Sequence, residues 1–181
     1  AGYEPLYPFG YGLSYSRFVY SDIRAAPSRA RPGAPVTVRA VVTNVGKVAA
    51  DEVAQLYVQD VVGSVTRPVR ELKGFQRVHL QPGESRDVSF QLSADDLAFY
   101  GRDMTRATEP GAFHAWIGGS STADLRADFE LTARARDGKQ TVVSYNATTF
   151  YDRDRTLQGV FAAARDVTER KRFEGSLQEA N

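Results

Sequence analysis

An all-β fold is what this sequence predicts: two antiparallel sheets packed face to face, with a hairpin and a helix appended. Three observations lead there. Pro-Gly pairs stand at Pro32-Gly33, Pro82-Gly83 and Pro110-Gly111. Proline presets φ at the second position of a turn, and glycine accepts the positive φ that follows. Between these marks lie short runs with period-two alternation or β-branched enrichment, the pattern of strands. No long helical periodicity separates the runs, and a succession of short antiparallel strands closes as a two-sheet sandwich.

The elements follow in order. Residues 1–17 have no clear periodicity and read as a strap preceding a sandwich at 18–131. Residues 18–23 are the first strand, and 36–43 the clearest, with Val36, Val38, Ala40 and Val42 on one face. Residues 53–58, 75–80, 86–92, 112–117 and 125–131 complete the set. Ser93 caps a single helical turn at Ala94-Asp95-Asp96-Leu97, since its hydroxyl can accept from an unpaired amide of the first turn. After about residue 132 the character changes. Arg134 to Lys139 is polar and carries an Asp137-Gly138 hairpin signal. Strands are expected at 142–151 and 159–165, joined by the charged turn Asp152-Arg153-Asp154-Arg155. Asp166 and Glu169 form a capping box for a terminal helix, and Phe173, Leu177 and Ala180 begin a coiled-coil seam. A helix this short is marginal alone. It must pack on the body or on a second chain, so a homodimer through 167–181 is expected.

Composition bounds the function. The chain has 181 residues, 23 Lys+Arg against 22 Asp+Glu, two His and no Cys. That length suits one domain, or one domain plus an appendage. Lack of cysteine excludes disulfides, thiolate zinc sites and cysteine nucleophiles. A net charge of +1 lacks the electrostatic footprint of a nucleic-acid binder. No apolar run approaches the ~20 residues that span a bilayer, so the reading is soluble, with no membrane partner and the compartment open. The start, Ala1-Gly2-Tyr3-Glu4, has neither an initiator Met nor a signal pattern and reads as cut from something longer.

Two resemblances sharpen this. The first is carried by Pro5-Leu6-Tyr7-Pro8-Phe9-Gly10-Tyr11-Gly12-Leu13-Ser14-Tyr15, Thr43-Asn44-Val45-Gly46 and Glu52-Val53-Ala54-Gln55-Leu56-Tyr57-Val58. It continues through Arg67-Pro68-Val69-Arg70-Glu71-Leu72-Lys73-Gly74-Phe75, Leu80-Gln81-Pro82-Gly83-Glu84, Pro110-Gly111-Ala112-Phe113 and Trp116-Ile117-Gly118-Gly119-Ser120-Ser121. With these motifs residues 1–131 closely resemble the C-terminal end of family 3 glycoside hydrolases of the β-glucosidase type. The resemblance implies an immunoglobulin/fibronectin type III-like antiparallel β-sandwich, preceded by a strap joining it to a catalytic body. The family's nucleophile and acid/base sit upstream, in polypeptide this sequence does not contain, so no catalytic residue is carried over. Residues 132–181 resemble the tail of a PAS sensor domain. The carriers are Arg136-Asp137-Gly138, Val142-Val143-Ser144-Tyr145-Asn146-Ala147 and the run from Gly159 to Lys171 with its Asp166-Val167-Thr168 triplet. The first half of a PAS domain is missing, which implies a chimera that cannot enclose a cofactor.

The residues themselves offer little chemistry. His79 and His114 lie in strands and read as surface or rim histidines. No Gly-x-Ser-x-Gly elbow exists, and Gly118-Gly119-Ser120-Ser121 lacks the lysine and helix of a phosphate loop. Carboxylates cluster at Asp51-Glu52, Asp95-Asp96, Asp124 with Asp128, and Asp152 with Asp154. A glycosidase needs two carboxyl groups about 5–10 Å apart around a sugar, and nothing in the pattern indicates such a cleft. If calcium binds, Asp152 and Asp154 would be its ligands. The aromatics Tyr7, Phe9 and Tyr11 lie in the strap, where they pack against the sandwich or cover the missing catalytic domain, with stacking on a sugar as the other reading. Trp116 reads as core or interface, with a sugar platform as the other reading. Arg67, Arg70 and Lys73 make a small basic loop suited to pairing across a domain boundary. The expectation is a non-catalytic accessory module. The alternative is a small cryptic hydrolase of esters, lactones or glycosides, using calcium to polarise a carbonyl or water.

Overall fold

The structure, a computed structural model, describes residues 5–31, 33–132, 143–151 and 157–166. The chain divides into two compact units, Ala1–Leu131 and Thr132–Asn181.

The first unit is a sandwich. One sheet has three antiparallel strands in the order β1 (Phe18–Ala26), β3 (Val36–Asn44), β6 (Ser85–Leu92). The other has five, in the order β2 (Arg29–Ala30), β10 (Arg126–Leu131), β9 (Gly111–Gly118), β4 (Ala50–Asp60), β5 (Glu71–Leu80). All pairs in it are antiparallel except β2 with β10. A one-turn helix α1 (Ala94–Leu97) and the two-residue strands β7 (Phe99–Tyr100) and β8 (Arg106–Ala107) bridge β6 to β9. Every run expected as a strand within 18–131 is one.

Period two explains the core. Val36, Val38, Ala40 and Val42 of β3 are buried, and their neighbours Val88, Phe90 and Leu92 on β6 face the same way. Ala54, Leu56 and Val58 of β4 meet them from the other sheet, with Phe113, Ala115 and Ile117 of β9 and Phe129 and Leu131 of β10. Phe113 and Phe129 are register partners whose rings stack at 5.1 Å and 8°, adding about 0.5–1.5 kcal/mol to their area burial. Gly74 is small because the Phe90 ring lies against it, with Cδ1 3.0 Å from where a Cβ would stand.

The punctuation is mostly as expected. Gly33 and Gly83 have φ of 84° and 78°. Pro110-Gly111 differs: Gly111 opens β9 opposite Leu131 instead of closing a turn. The reversal occurs earlier, where Met104 at φ 60° donates its amide to Gly101 O. A proline is tolerated at the entry of a strand because no ladder bond is needed from it. Ser93 caps α1 in a reciprocal box: its hydroxyl accepts from Asp96 N, and Asp96 accepts from Ser93 N at 2.7 Å. Asn44 pins the β3–β4 turn. Its buried amide donates to Val48 O and Leu80 O and accepts from Gly46 N and Ser16 Oγ.

In the second unit β11 (Val143–Tyr151) pairs with β12 (Leu157–Asp166) antiparallel, from Val143↔Asp166 to Tyr151↔Leu157. The Asp137-Gly138 signal, the Asp152–Asp154 turn and the 167–181 helix lie outside the described residues. Among the described residues no helix is long and apolar enough to cross a membrane.

Candidate functional site

The inner face of β4 fills the core, so Gln55 and Tyr57 point to the outer face of the five-stranded sheet. They are nonetheless buried, at 7% and 1% exposure. The strap covers them. Residues Pro8 to Tyr11 form a turn closed by Tyr11 N to Pro8 O, with Gly10 at φ 77°. A side chain at Gly10 would strike Gln55 Oε1 and the Tyr57 hydroxyl. Gln55 Nε2 donates to Gly10 O at 2.9 Å and to Gly119 O at 2.8 Å. Its Oε1 accepts from the Tyr57 hydroxyl at 2.6 Å. Ser121 N donates to Phe9 O at 2.8 Å, and the Phe9 ring meets Tyr57 edge-on at 6.5 Å.

A second anchor lies further along the strap. Glu52 is buried and accepts from Ser14 Oγ at 2.5 Å and from the Tyr20 hydroxyl at 2.8 Å. Burial first, and the Glu52 carboxylate second, push the Tyr20 hydroxyl far above the ordinary phenol range. Ser16 Oγ donates to Asn44 Oδ1 at 2.7 Å, where the strap joins β1.

The loop that grips Phe9 is itself held. The guanidinium of Arg70 lies 4.0 Å from the Trp116 ring centroid, and its Nη1 donates to Ser121 O at 2.6 Å and Ala123 O at 2.8 Å. Trp116 pairs in register with Tyr57, so Arg70, Trp116, Tyr57 and Phe9 form one assembly. Arg67 is not part of it. It forks onto Glu71, lies 4.2 Å over the Phe99 ring, and shares Glu71 with Lys73. The three basic residues of this loop make their bonds inside the sandwich.

The strap's backbone is fixed while its side chains are not covered. Tyr7, Phe9 and Tyr11 are 67%, 68% and 50% exposed, and Leu6, Leu13 and Tyr15 are more so. Tyr7 and Tyr11 rings stand 5.5 Å apart.

The other candidates are placed separately. His79 is exposed and meets Asp51 Oδ1 at 2.8 Å; Arg77 binds the same carboxylate. Bonds from Arg77 and then His79 hold Asp51 below its ordinary pKa. His114 meets Asp128 at 2.7 Å and touches the Trp116 ring edge-on. Asp51 and Glu52, adjacent in sequence, point to opposite faces. Asp95 bonds Arg106, and Asp96 caps the helix. Among the described residues no three His, Cys, Asp or Glu side chains converge on a point where a cation would sit; Asp152 and Asp154 lie outside them.

Sequence reasoning singled out the strap aromatics, Trp116 and Arg70. It named Glu52 only as one of a carboxylate pair and gave no role to Gln55, Tyr57 and Ser14, which complete the seat. The available signal was the polar glutamine and phenol alternating with Ala54, Leu56 and Val58.

The family described as fibronectin type III-like domain matches residues 52–121. A putative β-xylosidase of Formosa agariphila is 46% identical over 127 residues, covering 70% of this chain and 17% of its own. The periplasmic β-glucosidase of Salmonella typhimurium is 45% identical over 128 residues, covering 70% and 17%. Among solved structures, β-glucosidase from Listeria innocua in complex with glucose superposes with a TM-score of 0.65 at 38% identity, over 71% of this chain and 18% of that one. A β-glucosidase from Erythrobacter marinus gives 0.68 at 35%, over 72% and 17%. The chain thus spans about 17% of the length of the curated relatives it matches. Residues 52–121 match the fibronectin type III-like domain, and the sandwich around them is similar to the C-terminal domain of family 3 β-glucosidases and β-xylosidases.

Proposed function

We propose that this sandwich is a non-catalytic accessory module whose strap presents an aromatic face to a larger β-glucosidase- or β-xylosidase-like body. The observation that carries this is the contrast within the strap. Its backbone is tied down at Phe9 and Gly10, and the Ser14 hydroxyl is bound to Glu52, while Tyr7, Phe9 and Tyr11 are largely exposed. A contiguous apolar patch on a small protein marks an interaction surface. Tyrosine and phenylalanine suit such a surface, since each covers much area with two rotatable bonds.

Two measurements test this. Purified chain should not hydrolyse aryl β-glucosides or aryl β-xylosides; turnover by a homogeneous preparation would overturn the reading. A Tyr7→Ser, Tyr11→Ser double variant, which leaves the Phe9–Tyr57 contact in place, should fold with an unchanged melting temperature and bind markedly less of a hydrophobic fluorescent dye. Equal dye binding would place the apolar patch elsewhere.

The motifs of residues 132–181 support reading the second unit as a PAS-derived tail joined to the sandwich, and the β11–β12 pairing agrees with that. The apolar seam of Phe173, Leu177 and Ala180 supports a homodimer through 167–181. Light scattering of the full chain across a dilution series tests it, and a monomer at every concentration refutes it.

A further inference from the structure

The outward face of the three-stranded sheet, which shares no residue with the strap seat, holds a cleft of about 440 Å³. Asp22, Arg24, Arg39 and Asp87 line it, over a floor that includes Ala26 and Val41. Its shape comes from an irregularity. The pairing of β1 with β3 slips between Ser21 and Arg24, and Asp22 takes φ 54°. A non-glycine residue takes that left-handed region only where its surroundings hold it there, and a bulge re-aims the side chains beside it.

The slip sets Arg24 directly across from Arg39. Like charges so placed oppose each other. Among the described residues neither arginine makes an ion pair, nor do Asp22 and Asp87. Among the described residues, the only side-chain hydrogen bond any of the four makes is the one Asp22 Oδ2 accepts from Ser21 Oγ, at 2.8 Å. Two guanidinium forks and two carboxylates, all exposed, thus border one concavity with a single protein hydrogen bond among them.

The charge balance decides the ligand class. An anion would meet two carboxylates, and a cation two guanidinium groups. A neutral molecule with adjacent hydroxyls satisfies both sets: each carboxylate accepts from hydroxyls, and each fork donates to hydroxyl oxygens. Its C–H face can rest on the apolar floor. The volume falls in the lower part of the ~300–1,000 Å³ range of small-molecule pockets. We propose that this cleft is a binding site for a neutral saccharide unit bearing vicinal hydroxyls.

The test is amide NMR of the full chain titrated with cellobiose. Shifts should concentrate in residues 20–26, 39–41 and 87–89. Asp22→Asn and Arg39→Gln should each weaken binding about tenfold, the loss of one charge-assisted contact. Both variants should keep the wild-type fold, because asparagine accepts left-handed φ and glutamine relieves the Arg24–Arg39 opposition. The second variant stands if the first fails to fold. Absence of shifts, shifts confined to the strap, wild-type affinity in the folded variants, or the same amides responding equally to inorganic sulfate would each overturn the proposal.

Discussion

Replacing Gln55 with alanine should detach the strap from its sheet. One side chain makes three bonds there: to Gly10 O, to Gly119 O, and from the Tyr57 hydroxyl. The site is almost fully covered, so the partners lose bonds that water cannot readily replace. Each buried hydrogen bond contributes about 0.5–1.5 kcal/mol, which puts the loss of three at about 1.5–4.5 kcal/mol if the strap stays docked. If the strap lifts, the partners recover water and the loss is smaller, but the segment becomes open to cleavage. Urea unfolding measures the first quantity, and limited chymotrypsin digestion after Phe9 and Tyr11 the second. A Gly10→Ala variant adds a check. Its new methyl would run into Gln55 Oε1 and the Tyr57 hydroxyl at a backbone φ of 77°. Part of that clash disappears with the glutamine side chain, so the double variant should lose less than the two single losses added together. Wild-type stability combined with wild-type protease resistance in Gln55→Ala would refute the seat as described.

Other substitutions probe other links. Asn44→Ala removes an amide making four bonds that tie the strap, the β3–β4 turn and the end of β5; a loss of about 3 kcal/mol or more in urea melts is expected. Ser93→Ala breaks the box on α1 and should lose about 0.5–2 kcal/mol. The bond from Ser93 holds the Asp96 carboxyl below its ordinary value, so this stabilisation is present above that value and fades as pH falls through the depressed one; the variant should differ least from wild type in acid. Asp60 behaves oppositely. Burial raises its carboxyl, and its Oδ2 is buried without a partner. The folded state then binds the proton more tightly than the unfolded chain, so stability declines as pH rises through the interval between the two values. Asp60→Asn should be more stable than wild type at pH 7, with the difference shrinking toward pH 4; an equal difference at both pH values would count against this.

The sequence alone determined the strands and the faces they bury. An apolar side chain at every second place in 36–42 (Val36, Val38, Ala40, Val42) needs a sheet with one dry side, whatever the rest of the chain does, because side chains alternate strictly along a strand. Ser93 with Asp96 three residues on likewise carries its own cap. The motif resemblance extended this to the kind of sandwich, and it picked out the strap. Pro110-Gly111 shows the limit of local reading: the same pair suits a turn or a strand entry, and only pairing with Leu131 chose between them. The seat was beyond reach for the same reason. Gln55 and Tyr57 occupy places that face water in an isolated strand. They are buried because a segment about 45 residues earlier folds back over them, and Arg70 fixes the loop that clamps it. Alternation tells which side of a strand a residue takes; what lies on that side is decided by chain distant in sequence, where contact depends on the docking of whole elements.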